Sequence, residues 1–260
     1  MAQTLSPDRA HEWITRWDRQ QEGYLPDREE RFTVLIDAVE AHVGRADPLV
    51  LDLGCGPGSL SARLLDRLPR ATVVAVDADP LLLALGRACY SSLPGLRFAE
   101  LDLRRPGWSR ELGLERAPDA AVSTTALHWL AERDLRALYA ELAGLLRPGG
   151  ILLNGDHLEA DGSASRLRGL EREIARKAIR RRFPDGHPED WRQWWDAFTA
   201  DPALASLMAG LENGSSAASH DGSESILMSA HVEALREAGF TEIDTIWQRG
   251  DDRILAALLP

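Results

Sequence analysis

Residues 50–60 read Val50-Leu51-Asp52-Leu53-Gly54-Cys55-Gly56-Pro57-Gly58-Ser59-Leu60 and concentrate the features that could hold a ligand. Gly54, Gly56 and Gly58 alternate, which leaves the backbone bare on one side and lets a ligand reach main-chain N–H groups. A helix starting at Ser59 adds its own free N–H groups. The chemistry this supports is recognition of a nucleotide-like molecule; the plain alternative is a tight strand-to-helix turn. Cys55 fits as a small filler in the loop. A dinucleotide loop wants Gly at positions 1 and 3 and Gly or Ala at position 6. Counted from Gly54, position 6 is Ser59, and the third glycine comes early, at Gly58. Asp77 closes an apolar run about 20 residues further on, where a carboxylate can accept from both hydroxyls of a ribose. A loop or helix-capping aspartate is the plain reading there.

The elements that must carry these residues alternate. Strands are predicted at 49–53, 72–77, 96–100, 120–124 and 151–154, from short apolar runs closed by turn residues. Helices are predicted at 59–68, 80–90 and from an Asp134 cap to Leu146. That alternation implies an α/β fold, a parallel sheet with helices on both faces. Two helices, 6–22 and 27–43, lead in. After residue 158 the alternation breaks: helices are expected at 166–183, 188–200 and 202–211, then a Gly/Ser-rich stretch at 213–225. It returns with a helix at 230–238, a strand at 242–248 and an apolar stretch at 254–259.

Bulk properties narrow the function. The chain has 260 residues, 44% hydrophobic and 27% charged, an ordinary composition for one globular domain. A net charge of −11 argues against a nucleic-acid partner, whose phosphates call for a basic surface. No apolar run is long enough to span a membrane, and the first residues lack the apolar core of a signal peptide, so a cytoplasmic protein is expected. Two cysteines, Cys55 and Cys89, are too few for a zinc ribbon. Asp156, His157 and Glu159 lack a fourth ligand, and no metal is predicted.

Asp52-x-Gly54-x-Gly56-x-Gly58 resembles the first motif of class I S-adenosylmethionine-dependent methyltransferases. Asp102-Leu103 after the third strand matches that family's adenine-binding position. Leu127-His128-Trp129 after the fourth strand looks like the triplet of the trans-aconitate methyltransferase group. Pro148-Gly149-Gly150 and Ala238-Gly239-Phe240 match the family's closing turns. The resemblance covers residues 49–158 and 230–259. It implies a Rossmann-like seven-stranded sheet of order 3-2-1-4-5-7-6, strand seven antiparallel, in one methyltransferase domain. Residues 1–44 and 160–229 then form a helical lid. It implies S-adenosyl-L-methionine as cofactor, held by Asp52, Gly54, Cys55, Gly56, Gly58, Asp77, Ala78, Asp102, Leu103, Ser123 and Thr124.

His128 and Trp129 are the expected catalytic residues. An indole N–H only donates, which suits a carboxylate acceptor; core packing is the plain alternative. His128 is read either as a general base or as a cap on a neighbouring carbonyl. Trp17, Tyr24, Arg28, His157, Trp191 and Trp195 are expected near the acceptor, unless the aromatic side chains only fasten the lid. Arg180-Arg181-Arg182 is read as a solvated helix face or a contact to an anionic acceptor. The expected activity is O-methylation of a small molecule, with a carboxylate as one acceptor. N-, C- or phenol O-methylation stays open, as do a nicotinamide oxidoreductase and a non-catalytic S-adenosylmethionine binder.

Overall fold

The computed structural model describes residues 5–160, 165–186, 189–204 and 226–260. Its frame follows from where aliphatic runs fall. β1 (Leu49–Leu53) is buried on both faces, as a strand covered by helices on each side must be. It pairs in parallel with β2 (Thr72–Asp77) on one side and β4 (Ala120–Thr124) on the other. β3 (Leu96–Glu100) extends the sheet beyond β2, and β5 (Ile151–His157) extends it beyond β4. β7 (Asp252–Leu258) runs antiparallel to β5 and to β6 (Glu242–Arg249). The order is β3-β2-β1-β4-β5-β7-β6, as expected.

Alternation along β1 splits the core. Leu49, Leu51 and Leu53 face one side, where α5 (Glu132–Leu145) and α8 (Met228–Ala238) supply Leu135, Leu138, Leu142 and Leu235. Val50 faces the other, against Phe32, Leu35, Ile36 and Val39 of α2 (Arg28–Val43) and Leu60 and Leu64 of α3 (Ser59–Arg67). α4 (Pro80–Cys89) follows β2 and is capped by the Asp79 carboxylate.

α1 (Pro7–Glu22), capped by Ser6 with Pro7 in its first turn, presents Trp13 and Trp17 on one buried face. That face meets Trp194 and Phe198 of α7 (Trp191–Thr199) and Leu82 and Leu85 of α4. α6 (Ser165–Arg182) lies before α7. Its basic end is exposed, with Arg182 on Glu22 and Arg180 on Glu173.

Several expected boundaries shift. α5 begins two residues before Asp134, behind Ala131, which makes no side-chain cap; Asp134 instead supplies a negative charge to the first turn. β5 continues three residues past Asn154 because β7 pairs with it as far as His157. α7 starts at Trp191 because Asp190 and Gln193 form a reciprocal capping box. Within the expected helix 202–211, Pro202–Leu204 is a 3-10 turn. Residues 205–225, including the Gly/Ser-rich stretch, lie outside the described residues.

Candidate active site

The carboxyl ends of β1, β2 and β4 open into a cleft of about 650 Å³, within the range of small-molecule sites. The β1–α3 turn forms its floor. Gly54 and Cys55 both donate their N–H to the Val76 carbonyl, at 2.8 and 3.0 Å, which ties the turn to β2. Gly54, Gly56 and Gly58 all have positive φ, a region L side chains avoid. A Cβ on Gly54 would lie 2.3 Å from the Ala126 Cβ. The turn and the loop after β4 therefore fit together only because residue 54 has no side chain.

Asp77 stands at the end of β2. Its Oδ2 accepts from the Gly56 N–H at 2.7 Å and its Oδ1 from the Asp79 N–H at 2.9 Å. Burial raises its pKa above the usual carboxylate value, against the pull of those N–H groups. Each carboxylate oxygen can accept again, so both remain able to take a ligand hydroxyl. Asp102, after β3, is gripped through both oxygens by Arg104, whose hydrogen bonds lower its pKa. Asp77, Ala78, Asp102, Leu103, Gly54 and Gly56 all line the cleft.

The far end of the cleft holds a histidine–aspartate pair. His128 sits in a one-turn 3-10 helix, Leu127–Trp129, after β4. Its Nδ1 lies 2.8 Å from Asp156 Oδ1. Asp156 is at the carboxyl end of β5 and is 0% exposed. It also accepts from the backbone N–H groups of His128 and His157. Burial works to raise its pKa, but His128 by charge and hydrogen bond, with Arg31 and His157 nearby, holds it below the ordinary value. The side chain is thus held as an anion facing Nδ1 of His128, an arrangement that directs the ring's other nitrogen, Nε2, away from Asp156.

Arg31 of α2 fixes this end from beneath. It is wholly buried and reaches Asp252 at 2.7 Å and Thr124 Oγ1 at 2.7 Å, and also bonds Thr125 Oγ1. Thr125 is the one non-glycine with positive φ among the described residues, at 54°. Its N–H bonds the Gly155 carbonyl at 2.8 Å. A strained residue held by a buried guanidinium sets the path of the loop that carries His128 and Trp129.

A family model described as a methyltransferase domain matches residues 50–150. Over 107 residues the chain is 41% identical to a trans-aconitate 2-methyltransferase of Methylobacterium radiotolerans, covering 41% of this chain and 37% of that protein. The chain thus spans little more than a third of the curated relatives it matches. In structure it is similar to an O-methyltransferase family protein from Burkholderia thailandensis (TM-score 0.56, 18% identity, 87% of this chain and 55% of that one). It is also similar to the N-methyltransferase NodS from Bradyrhizobium japonicum, in complex with S-adenosyl-L-homocysteine (TM-score 0.52, 18% identity, 90% and 88%). Residues 50–150 are thus similar to a methyltransferase domain, and the seven-stranded sheet has the order of a Rossmann-like methyltransferase fold. Its antiparallel β7 next to β5 sets it apart from the 3-2-1-4-5-6 order of dinucleotide-binding sheets.

Around the cleft, the expected residues divide. His128, Trp129, Trp17, Tyr24, His157 and Trp191 line the cleft with the residues of the glycine turn and β2. Asp52, Cys55, Gly58, Ser123 and Thr124 do not. Asp52 lies under the turn and accepts from Ser61 Oγ at 2.6 Å; Ser123 Oγ bonds the Leu53 carbonyl. Cys55 is buried, and burial pushes its thiol well above its ordinary pKa. Gly58 faces Phe98 and Thr124 faces Arg31. Arg28 lies below the cleft, paired with Asp18 at 2.9 Å. Trp195 packs on Trp191, Trp194 and Phe198.

The lid tryptophans share the work. Trp13, Trp194 and Phe198 are buried and pack edge-on or stacked; Trp13 Nε1 also donates to Asp201. Trp17 and Trp191 meet at 5.1 Å over the cleft. Asp156, His157 and Glu159 are committed to His128, Asp251 and Arg172 respectively.

Sequence reasoning missed Gln21, Asp79, Arg104 and Thr125 as lining residues, and Asp156 as the partner of His128. The available signal for Asp156 was an acid at the carboxyl end of an apolar strand, the end at which open α/β sheets bind ligands.

Proposed function

We propose that the protein transfers the methyl group of S-adenosyl-L-methionine to an oxygen of a small-molecule acceptor. The observation that carries this reading is the Asp77 carboxylate beside the Gly54–Gly56 turn, in a cleft whose opposite end holds His128. The residues present fit the donor. Asp77 offers two acceptor oxygens to a ribose. Asp102 and the Leu103 backbone suit an adenine edge, and the bare amides of the turn suit the amino-acid tail. Bound there, the donor supplies an electrophilic sulfonium methyl.

The protein's own contribution is alignment and exclusion of water. A lid of Trp17 and Trp191 over the cleft confines the reactants, and holding them in line supplies much of a rate enhancement of this kind. Trp129 lines the cleft and its ring packs against His128 at 4.7 Å; an indole N–H can only donate, which suits an oxygen acceptor. Two oxygens fit this description, a carboxylate and a hydroxyl. The name of the Methylobacterium relative supports the first; a hydroxyl draws support from the paired imidazole.

Calorimetry with S-adenosylmethionine, S-adenosylhomocysteine and NAD tests the donor. The expected result is 1:1 binding of the first two and none of NAD. Tight NAD binding without S-adenosylmethionine binding overturns the reading in favour of an oxidoreductase. Donor binding with no transfer of labelled methyl to any component of a cell extract favours a non-catalytic binder.

A further inference from the structure

We infer that His128, oriented by Asp156, is the general base of the reaction, and that the acceptor is an uncharged, largely apolar molecule methylated on a hydroxyl. The inference rests on the proposed methyl transfer and specifies its acceptor.

Three observations converge. The first is geometric. Asp156 is fully buried and spends both oxygens on the backbone and ring of His128. A carboxylate so placed fixes the tautomer and aims Nε2 away from itself, toward the cleft that His128 lines. A carboxylate acceptor is already ionised at neutral pH, with a pKa near 4, and would give this base no proton to take. A hydroxyl gives it one.

The second is charge. The cleft wall carries the carboxylates Asp77, Asp79 and Asp102. Arg104 is the only guanidinium among the described lining residues, and Asp102 holds it at 2.8 Å. The segments outside the described residues contain no lysine or arginine in their sequence. Among the described lining residues no guanidinium or ammonium is therefore left to pair with a polycarboxylate, and an acceptor with several negative charges would meet repulsion from the three carboxylates. Arg28, placed by its sequence near the acceptor, is instead bonded to Asp18.

The third is the surface itself. Trp17, Trp191, Trp129, Tyr24 and Leu130 surround the space beyond the glycine turn. Aromatic walls with few polar groups select an apolar or aromatic body.

The step balances without a further reactant. The acceptor oxygen forms the bond to the methyl carbon, and the carbon–sulfur bond breaks with its electron pair going to sulfur. The hydroxyl proton passes to Nε2 of His128, and Asp156 stabilises the imidazolium until solvent removes the proton. The groups that set the charge of this pair are Asp156 and His157 on β5, Arg31 on α2, Asp252 on β7 and His231 on α8.

The test uses matched probes, catechol and 1-naphthol against benzoate, 1-naphthoate and trans-aconitate, with labelled donor. The wild-type protein is compared with His128→Gln and Asp156→Asn, and S-adenosylhomocysteine affinity is measured for each. Methyl transfer to the hydroxyl compounds and not to the carboxylates is expected. His128→Gln lowers kcat by about 10²- to 10⁴-fold with donor affinity unchanged and abolishes the acid limb of the pH–rate profile; Asp156→Asn shifts both in the same direction. Transfer confined to carboxylates overturns the inference, as does hydroxyl transfer undiminished in His128→Gln, or no transfer to any hydroxyl while the donor binds. Loss of donor binding in the wild-type protein instead overturns the methyltransferase reading beneath it.

Discussion

Replacing Asp52 by asparagine should stabilise the protein increasingly as pH rises. Asp52 is 0% exposed beneath the glycine turn. Its Oδ2 accepts from Ser61, and its Oδ1 has no partner among the described residues. Burial, which outweighs the Ser61 hydrogen bond and is reinforced by the nearby Asp77 charge, raises its pKa from 3.8 to about 7. An acid whose pKa is higher in the folded state holds its proton more tightly there. The unfolded chain releases that proton above pH 4 while the folded protein keeps it until about pH 7. The destabilisation is therefore absent below pH 4, grows between pH 4 and 7, and is complete above. With 1.36 kcal/mol per unit, a shift from 3.8 to about 7 costs about 1.7 kcal/mol at pH 5 and about 4 kcal/mol at pH 8. The substituted amide cannot ionise, so any packing cost it brings is the same at both pH values and cancels in the comparison. Urea melts at pH 5 and pH 8 read the difference directly. The Asp52→Asn variant should gain about 2–3 kcal/mol relative to the wild type between the two. Parallel pH dependence of the two proteins would refute the burial argument.

Other perturbations address the site. Arg31→Met leaves Asp252 buried without its partner and frees Thr125; a loss of about 3–5 kcal/mol is expected in denaturant melts, and a loss below about 1 kcal/mol would show that Arg31 does not fasten the loop. Gly54→Ala forces a left-handed residue, about 1–2 kcal/mol, and drives its Cβ to 2.3 Å from Ala126, so calorimetry should show donor binding lost; unchanged affinity would contradict the role of the turn. Trp129→Phe should cut turnover with donor affinity nearly intact; equal loss of both would remove Trp129 from the acceptor side.

The sheet was legible in the sequence because its cause is local. Strands β1, β2 and β4 are aliphatic runs closed by turn or polar residues, and a buried parallel strand needs little else. The glycine turn was legible for the same reason: three positive-φ positions demand three glycines. The His128–Asp156 pair was not. His128 lies in the turn after β4 and Asp156 at the end of β5, and they meet only because β4 and β5 are neighbours, so no spacing along the chain announces them. Arg31 had a usable signal. It lies four residues before Leu35, on the core-facing stripe of α2, where an arginine is tolerated only with a buried partner. The lid was half legible. Tryptophans at helical spacing marked a shared face, but whether each fastens or lines depends on how α1 meets α7. Arg28 had the right type and position to bind an anion, and its carboxylate, Asp18, lies on the preceding helix.

The most direct measurement is a crystal structure of the protein with S-adenosyl-L-homocysteine. The ribose hydroxyls should lie on Asp77, the amino-acid tail over Gly54 and Gly56, and the sulfur should face the His128 end of the cleft. A ligand seated elsewhere, or bound with its ribose away from Asp77, would contradict this placement.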